Sequence, residues 1–179
     1  VIATGYAVQA VGSLRGEETA GRLEAPLSGT LSRIRWLAAH GLVIAAGLGV
    51  IVLVSSVVLA VATASSMGTG VHLGRVVGAG AAYLPAELLV GALALALFGL
   101  RPRAFPAGWA AFAFIAFIAL LGPGLKLAGW ALDLSPTTHV GNPPLGTVEV
   151  LPLAVTGAIA ALLGVAAAVG FRRRGVPQG

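Results

Sequence analysis

Four long apolar runs constrain this chain more than any other feature in it. They extend over about 37–64, 76–100, 107–125 and 151–171. Each is close to the ~20 residues a helix needs to cross a ~30 Å hydrocarbon core. Lipid offers backbone N–H and C=O groups no partner, so runs of this length satisfy them internally, as α-helices. A water-soluble core is excluded by charge: 58% of the residues are hydrophobic and only 9% are charged, against about a quarter charged in a soluble domain. So few charges cannot cover a solvent-facing surface. The chain reads as an all-α, polytopic transmembrane helix bundle with about four full spans.

The bases set an orientation. Arg15, Arg22, Arg33 and Arg35 precede the first run, Arg101 and Arg103 separate the second from the third, and Arg172, Arg173 and Arg174 follow the fourth. If the spans alternate, these nine of the eleven bases share one side, and only Arg75 and Lys126 fall on the other. The positive-inside rule places the nine in the cytoplasm, with the C-terminus there too and the outer segment 126–150 outside. Trp36 and Trp109 at inner ends and Trp130 beyond an outer end fit an aromatic belt. The net charge of +5 is therefore a topology signal. With no basic face and no interleaved aromatics, nucleic acid is not an expected partner. The Ala/Gly/Val/Arg bias is that of a chain from a GC-rich bacterium, which makes the expected location the bacterial plasma (inner) membrane.

Residues 1–14 are apolar but too short to span, and the chain opens on Val1 rather than Met. They are expected to be the end of a preceding transmembrane helix, with an N-terminal part missing. Segment 15–36 differs in kind: Glu17, Glu18 and Glu24 mix with Arg15 and Arg22, which suits a short amphipathic cytoplasmic helix ended by Pro26. Ser32 is placed to cap the helix that follows. Residues 37–179 form the bundle. In the outer segment, Gly122-Pro123-Gly124 should kink or end the third span. Lys126, Trp130 and Asp133 then alternate with leucines, as in an interfacial helix, before Ser135-Pro136 and Asn142-Pro143-Pro144 open a loop.

Glu87 is the sharpest single residue. It lies within the second run, two positions after Pro85, where a carboxylate costs a few kcal/mol unless paired, hydrated or neutral. On a helix Gly80, Tyr83, Glu87, Gly91 and Ala94 form one stripe, whose small residues admit another helix. Glu87 should therefore face protein or a cavity, either as a structural carboxylic acid or, with Tyr83, on a candidate substrate path. A second stripe, Gly70, Gly74, Gly78 and Ala82, suits close packing or a dimer contact. The absence of cysteine excludes disulfides and thiolate chemistry. His40, His72 and His139 share no helical pairing that would hold a metal or haem. Lys126 is the only lysine and lies outside, so there is no P-loop. No catalytic, cofactor or metal site is expected.

Three regions carry a family resemblance. The first runs from Arg15 through Gly16-Glu17-Glu18 and Gly21-Arg22-Leu23-Glu24 to Leu31-Ser32-Arg33-Ile34-Arg35-Trp36 and His40. The second is Tyr83-Leu84-Pro85-Ala86 with Ala96-Leu97-Phe98-Gly99-Leu100-Arg101-Pro102. The third is Leu132-Asp133-Leu134-Ser135-Pro136 with His139, then Gly170-Phe171-Arg172-Arg173-Arg174. Together they resemble the C-terminal part of the permease subunit of type-2 ATP-binding-cassette exporters of the actinobacterial polyketide-antibiotic and multidrug efflux family.

The resemblance implies six helices per permease half, with 1–14 ending the second and the four spans being helices three to six. The segment 126–150 would match short re-entrant helices. Segment 15–36 would carry a coupling helix, with Glu17, Glu18, Gly21, Arg22 and Glu24 touching an ATPase subunit, expected as a dimer, that holds the ATP and magnesium. The further partners are a second permease half, fused N-terminally or on another chain, the lipid membrane, and a small hydrophobic or amphipathic substrate. An apolar residue is expected in that family where Glu87 stands. The expected function is export of drugs or antibiotics with no enzymatic step in this chain. The alternatives are a non-transporting membrane assembly protein and a proton-coupled secondary transporter using Glu87.

Overall fold

The computed structural model describes residues 1–21, 32–67, 72–140 and 148–173. Helices occupy each apolar run: α1 (Ile2–Thr19), α2 (Arg33–Met67), α3 (Leu73–Ala81), α4 (Leu84–Leu100), α5 (Pro106–Leu125), α6 (Gly129–Leu132) and α7 (Val150–Arg173), with 3-10 turns at Pro102–Ala104 and Pro136–Val140. Four stretches are long and apolar enough to cross a membrane: α2, α3 with α4, α5, and α7. The bundle is therefore the all-α transmembrane architecture that the apolar runs dictate.

α1 runs without interruption through Leu14, where the membrane segment was expected to end, and stops at Thr19. Nothing between Gly12 and Thr19 breaks a helix, so the charged residues 15–19 are its last turns rather than a separate element. The stop is at Gly21, whose φ of 69° is open to glycine and expensive for other residues. One face of α1, Ala3, Ala7, Val8, Val11 and Leu14, is buried at helical spacing. Ser32 receives the Arg35 backbone N–H at 3.3 Å and so caps α2. α2 is 35 residues long, roughly 52 Å at 1.5 Å per residue, which exceeds a ~30 Å hydrocarbon core.

The second span is two helices. Pro85 has no N–H, so the Ala81 carbonyl loses its helical donor. The chain tightens there, with the Tyr83 N–H on the Gly80 carbonyl at 3.1 Å, before α4 begins with Pro85 in its first turn, a position where the missing donor costs nothing. α5 passes through the Gly-Pro-Gly sequence and ends at Leu125. Lys126 takes a left-handed φ of 48° and the Leu127 N–H reaches back to the Gly122 carbonyl at 3.4 Å, a Schellman closure. The expected interfacial helix is a single turn, α6, with Trp130 exposed.

The most extensive helix pair is α4 with α7. Its close contact is made by Gly99 and Gly170: a Cβ on Gly99 would lie 2.9 Å from both the Ala167 carbonyl carbon and its Cα. Such contact through small residues is how helices associate in lipid, where no hydrophobic force drives them together. Below it, Phe171 is fully buried and stacks on Trp36 and on Phe98, each at 5.8 Å between ring centres. This aromatic stack joins α2, α4 and α7 at the arginine-bearing end. The face of α2 carrying Leu42, Val50, Leu53, Val57 and Val61 is exposed, as is much of α7, which suits contact with lipid or further helices.

Candidate functional site

The two ends of the bundle offer different chemistry. At the end away from most of the arginines, a cavity of roughly 770 Å³ is bounded by the start of α1 (Val1 to Thr4), the outer half of α2 (Ile51 to Leu59), the α3–α4 break (Gly80, Tyr83, Glu87), α5 (Ile115 to Ala119), and Leu132, Thr137 and Thr138. Pro85 is what positions Glu87 there. By ending α3 it makes Glu87 a first-turn residue of α4 rather than part of a continuous helix. Thirteen residues separate Glu87 from Leu100, roughly 20 Å of helix, or about two thirds of the way across a ~30 Å core.

Glu87 is 9% exposed, and its Oε2 has no hydrogen-bond partner among the described residues. Its stripe continues into protein: a Cβ on Gly91 would meet the Ala7 Cβ at 3.1 Å, and Ala94 packs on Gly108 of α5. Tyr83 lines the same cavity, half-buried. On the second stripe, a Cβ added at Gly74 or Gly78 would meet nothing within 4 Å among the described residues, whereas Gly80 lies directly against Ser56 of α2. The close approach of α2 and α3 therefore runs through Gly80 instead. Gly70 lies outside the described residues.

The hydroxyls around the cavity were not singled out in the sequence. Ser56 Oγ donates to the Val52 carbonyl at 2.6 Å. Thr138 Oγ1 lies 2.7 Å from the Ser135 carbonyl and 2.9 Å from that of Leu132, and Ser135 Oγ pairs with Thr137 Oγ1 at 2.8 Å. These bonds fold the segment after α6 back on itself and bury Val140. Hydroxyls on α2 and on the segment after α6, about eighty residues apart, leave no spacing signal, so only the folded chain brings them together.

At the opposite end, the Arg15 guanidinium sits 5.7 Å from the Phe105 ring centre. Phe105 is buried at the entry to α5 and its ring lies 3.3 Å from the position of a Cβ on Gly12. The two contacts clamp the end of α1 to the bundle. Glu17 and Glu18 are half-buried on the final turns of α1, and Gly21 is its terminator. Arg22 and Glu24 lie outside the described residues, as do Pro26, the Asn142-Pro143-Pro144 sequence and Arg174. His40 donates through Nδ1–H to the Trp36 carbonyl at 2.8 Å and lies against the Trp36 ring of the aromatic stack. Among the described residues no three potential metal ligands cluster.

The family described as the C-terminal domain of the multidrug efflux system permease Rv1217c matches residues 1–172. The multidrug efflux system permease protein Rv1217c of Mycobacterium tuberculosis (strain ATCC 25618 / H37Rv) is 38% identical over 180 residues, which cover 98% of this chain and 32% of that protein. The chain thus spans about a third of the length of the curated relative it matches.

Proposed function

The chain belongs to the family of C-terminal domains of multidrug efflux system permeases, and from that premise we propose that it is the membrane-spanning part of an exporter whose energy comes from ATP hydrolysed by a separate subunit. Hydrophobic or amphipathic molecules enter between this bundle and a second permease half and leave on the far side. The arginine-bearing end faces the cytoplasm, because Arg15, Arg33, Arg35, Arg101, Arg103, Arg172 and Arg173 gather there, and the ATPase docks on it.

The observation that carries the reading is the continuity of α1. One unbroken helix of 18 residues, roughly 27 Å long, has Val1 to Thr4 in the cavity wall and Glu17 and Glu18 at the charged end. Hydrogen-bonded helices transmit displacement as rigid bodies, and Arg15 on Phe105 makes α5 move with it. A push on Glu17 and Glu18 by a closing ATPase therefore shifts the wall of a cavity on the opposite side of the membrane. This is the geometry alternating access needs. Gly21 supports the reading by ending the rod where the contact would begin, and Arg22 and Glu24 would extend the contact.

The test is co-purification. The full gene product is expressed with a tag in its native host and extracted in mild detergent beside a Glu17→Arg/Glu18→Arg variant. The expected result is a P-loop ATPase captured by the wild type and lost from a variant of unchanged thermal stability. Efflux from cells that stops on ATP depletion but survives collapse of the proton gradient completes it. Efflux that follows the proton gradient instead would transfer the energetic role to Glu87 and sink the ATP-driven reading.

A further inference from the structure

We propose that the cavity at the α3–α4 break is a binding site for amphipathic cations, with Glu87 as the residue that neutralises their charge. The proposal rests on the exporter reading above and names the chemical class of its substrate. It stands on three observations: the size of the cavity, its lining, and the burial of the Glu87 carboxyl group.

The volume, roughly 770 Å³, is that of a site for a drug-sized molecule, which needs about 300–1,000 Å³. The walls supply what an apolar body needs: Ile51, Val52, Leu59, Ile115, Ile118 and Leu132 come from α2, α5 and the single turn of α6. Among the described residues, no lining side chain is basic. The hydroxyls of Ser56 and Thr138 already bond to carbonyls within their own segments, and that of Thr137 to Ser135. Among the described residues, Glu87 carries the one buried side-chain polar atom left without a hydrogen-bond partner. It is nine-tenths buried, it lines the cavity, and its Oε2 has no partner among the described residues.

A buried carboxylate without a partner is costly in a low-dielectric setting. An ammonium or other organic cation entering the cavity relieves that cost and gains a charge-assisted contact in return. Tyr83, on the same wall one helical turn before Glu87, offers a ring face, which attracts cations. An anion gains no such contact, because no basic side chain among the described residues lines the cavity. The cavity therefore selects by sign of charge while its apolar walls tolerate different bodies, which is the combination a site for many drugs requires.

Tetraphenylphosphonium and tetraphenylborate separate these effects, because they share a shape and differ in sign. Binding of each is measured by equilibrium dialysis to the full gene product in nanodiscs, with empty nanodiscs subtracted. No nucleotide or ATPase is present, so loss of the ATPase contact leaves this result standing, and loss of cation binding leaves the ATPase contact standing. The wild type is expected to bind the cation saturably and not the anion. Glu87→Gln should weaken the cation by about tenfold or more, the scale of losing one opposite charge about 7 Å away at an effective dielectric constant of about 20, while Glu87→Asp retains most of it. Should Glu87→Gln fail to fold, Ala119→Trp provides the second route. It leaves the carboxylate intact, fills the cavity from an exposed position on α5, and should abolish saturable binding. Equal binding of the two ions, or cation binding unchanged in Glu87→Gln or in Ala119→Trp, would overturn the site.

Discussion

Gly99→Ala adds one methyl group to α4 where α7 lies against it. The new Cβ would stand 2.9 Å from the Ala167 carbonyl carbon and 2.9 Å from its Cα, and would also press on the carbonyl oxygen. Ordinary carbon–carbon contact begins near ~3.5 Å. The atoms in the way are backbone and cannot rotate aside, so the helices must separate by at least about half an ångström. Separation loosens every contact along the best-packed pair in the bundle, and introducing a methyl into such a site costs about 1–3 kcal/mol. Against this, replacing glycine by alanine within a helix gains about 0.5–1 kcal/mol. The net expectation is a destabilisation of about 1–2 kcal/mol, taking the middle of both ranges. Gly49→Ala on α2 is the matched control, because no atom of the described residues lies within 4 Å of a Cβ there. It should be neutral or slightly stabilising. Thermal unfolding in one detergent, followed by loss of the monodisperse peak, reads both. If the two variants shift the midpoint in the same direction and by the same amount, the Gly99–Ala167 contact does not hold α4 to α7, and the reasoning fails.

Two further outcomes follow from the α3–α4 break. Pro85→Ala returns an N–H to face the Ala81 carbonyl, so α3 and α4 should join into one helix; the variant should be at least as heat-stable as the parent yet export poorly, since Glu87 loses its first-turn position, and unchanged export would show that the break has no part in transport. Gly80→Ala drives a methyl into Ser56 of α2, whose Cβ would be 2.7 Å away. It should lower the unfolding midpoint, and adding Ser56→Gly should restore most of the loss because the nearest remaining atom of residue 56 is then its Cα at 3.6 Å; a double variant no better than Gly80→Ala would refute the contact.

The sequence alone determined the transmembrane helical class, the four spans and the end of the bundle that gathers the bases. These follow from length and polarity, which act residue by residue: about twenty apolar residues in lipid have one way to satisfy their backbone. Local stops were legible for the same reason. Ser32 caps α2 and Gly-Pro-Gly lies within four residues of the end of α5 because a cap or a breaker needs only its neighbours in sequence. The stripe holding Glu87 could be drawn on a helix, so a carboxylate turned away from lipid was an expectation of the sequence as well.

What surrounds Glu87 was decided by tertiary structure. Thr4, Ser56 and Thr138 lie on separate elements, and no spacing connects them. The extension of α1 to Thr19 could not be told from a membrane segment followed by a surface helix, because charge marks where water begins rather than where a helix ends. Gly74 and Gly78 share the spacing of a packing stripe but stay open, while Gly80 makes the contact. A periodic pattern fixes which residues share a face of a helix. Which face meets a neighbour depends on how the helices assemble, and in lipid that is settled by close fit between particular surfaces, as at Gly99 and Ala167, rather than by hydrophobicity that every face already has.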